Sequence, residues 1–346
     1  MKKLLLLLPI LALLAGCSND FEVAAPWKEI PVVYAILSAK DTAQYVRIEK
    51  AFLDPQTDAL EIAQIADSLY YPADVITAYL ERSSNNSRVQ LTRVDGNLEG
   101  FPRRSGIFAT QPNWLYKVKT PSGQGLAVGE KYRLVIKRAD GKADITAETT
   151  IPNNFEFRIP NQQQSPPLLN FFNTQTTSIS WRTDVNGAYF NAYLTVRYRE
   201  EAPNGTTLAN KTLVWTAFKN QRRSDNLVGS GVNPYAGQAE VNGQDFFNFL
   251  ADSIPAVTNN DRFRYFEFSE LTLEGGGGEI AQYLSTASVA SGITSAETIP
   301  SYTNISEGFG IFTSKNRTTL GNIKIETKTV DEMNRNERAV RLNFRY

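Results

Sequence analysis

The chain has 346 residues, 36 basic and 36 acidic, with one cysteine and no histidine. Such a balance excludes the usual nucleic-acid binder, which carries a basic excess or patch. The missing histidine excludes Ser-His-Asp and Cys-His catalysis and His-bearing zinc sites, and a single thiol makes no internal disulfide or cysteine-based metal site. Oxygen-only calcium sites and paired-carboxylate catalysis pass this filter, and no cofactor is expected.

The chain opens with Met1, Lys2 and Lys3, then an apolar run over residues 4–14, the small residues Ala15 and Gly16, and the lone Cys17. A helix needs about 20 residues to span a bilayer, so this run is too short, and it fits the h-region of a secretory signal peptide. The order Leu14-Ala15-Gly16-Cys17 resembles a bacterial lipobox. That resemblance implies removal of residues 1–16 and lipidation of Cys17 on its sulfur and its new amino group. One acyl chain holds a protein to a membrane only marginally, whereas the several chains of a bacterial lipoprotein imply permanent anchoring. Residues 17–29, polar and carrying Pro26, read as the lipidated tether.

Strand text follows. Residues 30–37 (IPVVYAIL) are a β-branched and aromatic run, and in QYVRIEKAF the pair Val46 and Ile48 faces away from Arg47 and Glu49, the alternation of a half-buried strand. Residues 58–71 carry Leu60, Ile62, Ile65 and Leu69 at roughly helical spacing, which predicts a short helix or a covered loop. ADVITAYLER returns to strand period, with Val75, Thr77 and Tyr79 sharing a face, and RVQLTRVDG is expected as its hairpin partner. Trp114, in the turn-rich QPNWLY, is expected as an exposed loop aromatic and a contact candidate. The clearest hairpin sets Tyr132, Leu134 and Ile136 against Arg133, Val135 and Lys137 and turns at Asp140-Gly141. The first domain is placed at 30–157.

Residues 158–168, rich in Gln and Pro without periodicity, are expected as a linker, because Pro removes ladder donors. The second domain, 169–346, restarts with strands. Ile179 and Trp181 share a face, as do Phe190, Ala192, Leu194, Val196 and Tyr198; these aromatics, with Trp215, read as core. GQDFFNFLADSI and GGEIAQYLSTASVA have helical spacing, RFRYFEFSELTL lies between them as a strand, and NIKIETKTV and RAVRLNFRY are expected as closing strands. EGGGGE lacks the Lys-Ser/Thr of a phosphate loop and reads as a turn into a helix starting near Glu279. Arg222 and Arg223 read as a solvated loop face, and no carboxylate pair among Glu200, Glu201, Glu267 and Glu270 is singled out. The fold expected is mainly β: two tandem antiparallel β-sandwich domains, immunoglobulin- or fibronectin-like, with a few short helices.

Two stretches carry a family resemblance. VVYAILSAKDTAQYVRIEKAFL resembles the opening strands, and YTNISEGFGIF a late loop motif, of an outer-membrane lipoprotein family of Bacteroidota that has no established chemistry. The resemblance implies a lipid-anchored envelope protein with a non-catalytic binding or accessory role. Its expected partner is an outer-membrane β-barrel transporter or another envelope complex. It supplies no catalytic residues. Asn304 and Phe309 in the late motif are expected as structural or contact residues. Asp20 and Glu22 are a diluted form of the acidic run that follows the cysteine in surface lipoproteins of these bacteria, which leaves the periplasmic and cell-surface faces both open. Thr42, Ser68 and Ser253 each sit in an Asp-Ser/Thr-aliphatic triplet resembling the sites such bacteria O-glycosylate, and the same triplets suit ordinary turns and caps. A structural subunit of a secretion, motility or adhesion assembly and a His-free carboxylate hydrolase are the alternative functions.

Overall fold

Strand β1 (Glu29–Ser38) pairs antiparallel with β2 (Ala43–Phe52) on one edge and parallel with β17 (Phe309–Ile325) on the other, so the beginning and the end of the chain share one sheet. This arrangement comes from a computed structural model, which describes residues 29–52, 58–120, 125–223, 235–290 and 302–346. The leader, Cys17 and all of the tether before Glu29 lie outside the described residues.

Between those ends come two short helices, α1 (Ala59–Ala63) and α2 (Ala66–Leu69), where helical spacing predicted them, and Asp58 caps α1 by accepting from the amide of Leu60. Strands β3 (Ile76–Arg82), β4 (Ser87–Gln90), β5 (Thr92–Asp95), β6 (Trp114–Lys119), β7 (Lys131–Arg138) and β8 (Ile145–Thr150) follow. The next set is β9 (Glu156–Ile159), β10 (Leu168–Leu169), β11 (Thr176–Arg182), β12 (Tyr189–Glu201), β13 (Thr207–Arg222) and β14 (Ala236–Asn242). Helix α3 (Gly243–Ser253), β15 (Phe263–Phe266), β16 (Ser269–Gly276) and α4 (Gly278–Ala290) lead to β17, and α5 (Thr327–Asn334) and β18 (Phe344–Arg345) close the chain.

The protein is mainly β, with several sheets. The largest, of 11 strands, runs β18-β15-β12-β16-β17-β1-β2-β6-β5, with β10 beside β17 and β13 beside β12. A four-stranded sheet β4-β3-β7-β8 and a three-stranded sheet β14-β11-β9 pack against its two halves. Two apolar cores result. Val33, Leu37, Val46 and Ile48 meet Leu134 and Ile136 in the first; Trp181, Phe190, Leu194 and Phe246 fill the second. Alternation sorted these faces correctly, since Phe190, Ala192, Leu194, Val196 and Tyr198 are all buried.

The pairing does not show the expected pair of sandwiches, each with its own antiparallel sheets. One sheet takes strands from both halves of the chain, and β1–β17, β10–β17 and β15–β18 are parallel. The agent is β17. Its Phe312 enters the first core and its Ile323 and Ile325 the second. Between them Thr313, Ser314 and Asn316 are fully buried polar residues. Buried polar groups persist when hydrogen-bonded, and these are: Ser314 Oγ donates to Thr150 O at 2.8 Å, and Asn316 Nδ2 to Pro152 O and Asn153 O at 3.1 and 3.0 Å. The strand therefore passes from one core to the other along a polar seam against the segment joining β8 to β9. Gly310 makes the parallel pairing close: its φ is +114°, and a Cβ there would lie 1.9 Å from Val33 O.

Three local expectations change. RVQLTRVDG is two strands: β4 pairs with β3, but β5 crosses to the large sheet beside β6. The run NIKIETKTV stops being a strand at Ile325, because Thr329, Val330 and Met333 bury one face of helix α5. RAVRLNFRY is mostly a 3-10 turn over Ala339–Leu342, ended by Asn343 in the left-handed region, with two strand residues after it.

Candidate functional site: a cationic cleft at the far end of the long strand

Strands β12, β15 and β18 lie side by side at one edge of the large sheet, and the reversal from β15 to β16 at Glu267 and Phe268 projects beyond them. Across from that reversal come the end of β17 and the start of α5. They enclose an open cleft of about 630 Å³, lined among others by Phe266, Phe268, Lys324, Ile325, Val330 and Arg345. That volume is in the range of small-ligand sites, roughly 300–1,000 Å³.

The floor is apolar. Ile325 and Val330 are buried, and Phe266 stacks on Phe344 with ring centres 4.3 Å apart. Phe268 stays 53% exposed. One wall is a charge network: Arg199 Nη1 donates to Glu267 at 2.7 Å and its Nε to Glu201 at 3.1 Å, with the guanidinium 4.9 Å from the Tyr265 ring centre. At the other wall the Tyr346 hydroxyl donates to Asp331 at 3.1 Å, a bond that raises the phenol's pKa above its ordinary value. Lys324 is held by its backbone, which donates to Pro167 O at 2.9 Å, and Arg345 by its pairing with Tyr265. Neither Lys324 nor Arg345 has a carboxylate partner among the described residues.

The residues singled out from sequence lie elsewhere and are not brought together. Thr42 is exposed in the turn between β1 and β2, its carbonyl accepting from Thr120. Ser68 is half-buried within α2, and Ser253 is exposed at the last residue of α3. Trp114 is not in a loop: it opens β6, half-buried beside Leu69 and Tyr70, with the Arg93 guanidinium 4.5 Å from its ring. Asn304 is tied into the fold. Its Nδ2 donates to Phe312 O at 2.7 Å and Glu148 O at 3.1 Å, and its Oδ1 accepts from the Phe312 amide at 2.9 Å. Phe309 opens β17 beside Val32 and is 47% exposed. Cys17 is outside the described residues.

The carboxylates each meet a guanidinium. Glu200 and Glu201 point to opposite faces of β12; Glu200 accepts from the buried Arg264 at 2.8 Å, and Glu270 pairs with Arg197 at 3.1 Å. Among the described residues no group of three or more acidic, Cys or His residues is placed to hold a metal ion.

Reasoning from sequence missed the cleft. Phe268, Lys324 and Arg345 are far apart in the chain and meet only through the parallel pairing of β18 with β15 and the joining of β17 to that half of the sheet.

No family model and no curated protein matches the chain. Among solved structures, the C-terminal globular domain of an oligosaccharyltransferase from Pyrococcus abyssi aligns at 11% identity over 87% of this chain, with a TM-score of 0.20. The chain spans 50% of that structure's length. A structure titled CBD12 from CALX1.2 aligns at 9% identity over 83% of this chain and 99% of its own, with a TM-score of 0.16. Likenesses this weak carry no argument about fold or function.

Proposed function

We propose that the chain is an outer-membrane lipoprotein that holds a binding cleft away from the bilayer, acting as a non-catalytic accessory of an outer-membrane transporter. The observation that carries this reading is the position of the cleft. The tether joins at Glu29, the first residue of β1, and β17 starts beside it at Val32↔Phe309. Lys324 and Ile325 lie at the opposite end of that 17-residue strand, up to about 50 Å away at roughly 3.3 Å per residue. With Cys17 lipidated, the anchor would join at the Phe309 end of β17, and the cleft lies at the opposite end. The junction is firm: Arg138, on β7, donates to Glu29 at 2.6 Å and also pairs with Asp140. Burial pushes the Glu29 carboxyl up, but Arg138 and Lys142 outweigh it and hold it below its ordinary value. The two cores fit two sandwich-like lobes that share one sheet, a rigid spacer between anchor and cleft.

The test is native co-purification. An affinity tag inserted at the exposed Asn204-Gly205 turn between β12 and β13 leaves both ends of the chain free. Recovery from gently solubilised outer membranes should bring down a β-barrel transporter in stoichiometric amount. Recovery of the protein alone, or with a secretion or motility complex, overturns the accessory reading.

A further inference from the structure

We infer that the cleft takes an organic anion, with charged oxygens that reach Lys324 and Arg345 and a planar apolar body that lies on Phe268. This rests on the cleft being the binding site and names the chemistry it selects. Four charged side chains line it: Arg199, Lys324 and Arg345 against Glu267. Arg199 is committed, since Glu201 and Glu267 take its Nε and Nη1. That leaves two cations lining the site with no ion-pair partner among the described residues. A guanidinium and an ammonium there are donors only, and they fit carboxylate or phosphate oxygens. An exposed cation over water gains little from a counter-ion, but one beside an apolar wall gains more because local screening is weaker.

The apolar part of the cleft is the second constraint. Phe268 is half exposed at the β15–β16 reversal, and its Phe266 neighbour is fixed by stacking on Phe344. Ile325 and Val330 line the same cleft, so its wall is apolar as well as cationic. A small inorganic anion would leave the apolar part wet, and an uncharged apolar ligand would leave the cations unused. A molecule carrying both features satisfies both parts. Arg345 is steered toward that role by its own backbone, since β18 pairs with β15 at Arg264↔Phe344 and Tyr265↔Arg345 and its guanidinium rests 5.7 Å from the Phe263 ring centre.

The experiment is calorimetric titration of the detergent-solubilised, lipidated full chain, with a detergent blank. The probes are 3-phenylpropionate, 3-phenylpropyl phosphate and 3-phenylpropionamide, together with their 2-naphthyl counterparts. At least one anion of each body should bind about tenfold or more tightly than its amide, a gap that shrinks as salt is raised. Lys324→Gln with Arg345→Gln should erase the gap. Both side chains are exposed, so an unchanged melting temperature shows that the variant is folded. The ratio of carboxylate to phosphate affinity identifies which anion the cleft prefers. Amides binding as well as the anions, or a variant as selective as the wild type, overturns the inference and leaves a cleft that binds apolar bodies. Failure of every probe overturns the inference and the cleft as a small-ligand site together.

Discussion

In the first turn of α4, Glu279 accepts hydrogen bonds from Thr149 Oγ1 and Thr313 Oγ1, each at 3.1 Å, and no cation is paired with it among the described residues. Burial raises its carboxyl above the ordinary value of 4.5, against the opposing pull of those hydrogen bonds. The groups facing it are the hydroxyls of Thr149 on β8 and Thr313 on β17, with the Tyr302 phenol near enough to feel its charge. The folded chain therefore holds this proton more tightly than the unfolded chain does. The stability it contributes is fully present below the unfolded value and is lost as pH rises through the folded one. Glu279→Gln mimics the protonated form, so it should stabilise the protein at pH 7.5 and confer less or no gain at pH 5. Urea denaturation of both proteins at the two pH values checks this; an equal difference at both would mean that the carboxylate is not penalised. Asp140 behaves in the opposite sense, because Arg138 holds it well below the ordinary carboxylate range, and its contribution is lost as pH falls.

Among the elements, β17 does the most to define the architecture, and its path was the least legible in the sequence. Alternation in β2, β7 and β12 announced which side chains go inward, because each of these strands keeps one face against one core. Helix α3 was legible for the same reason, with Phe246, Phe247 and Leu250 buried along one stripe, and α4 forms where Ile280, Tyr283 and Leu284 have helical spacing. In β17 the periodic signal breaks at Thr313, Ser314 and Asn316: Ser314 and Asn316 bond to groups 164 positions earlier in the chain, and Thr313 to Glu279. Helix α5 was read as strand because Thr and Val favour strands, while burial of Thr329, Val330 and Met333 on one face decided otherwise. Trp114 was misplaced because only the fold shows β6 starting there. Asn304 shows what a motif residue does just before such a strand. Its side chain replaces a partner strand at Phe312 and reaches Glu148 on β8, which ties the large sheet to the four-stranded one. Asn304→Ala should cost about 1–3 kcal/mol, the range for stranding partly buried backbone groups. Denaturant melts test it. A loss well under 1 kcal/mol, with binding to the partner impaired, would make Asn304 a contact residue instead.

At the scale of the whole molecule the proposed function is directional: the segment before Glu29 joins one end of the shared sheet, and the cationic, apolar cleft lies at the other. The proposed anchor rests on the sequence alone, on a lone cysteine after a leader-like run, and it lies outside the described residues. The cleft was not legible there, because its walls come from β12, β15, β17 and β18 and exist only once the sheet is assembled. The most direct test is site-specific photocrosslinking in living cells, with a photoreactive phenylalanine analogue placed at Phe268 in one variant and at Phe309 in another. Both side chains are about half exposed, so both tolerate the analogue. The account predicts protein crosslinks from position 268 and lipid adducts from position 309. Lipid adducts at 268, or a protein partner captured only at 309, would contradict it.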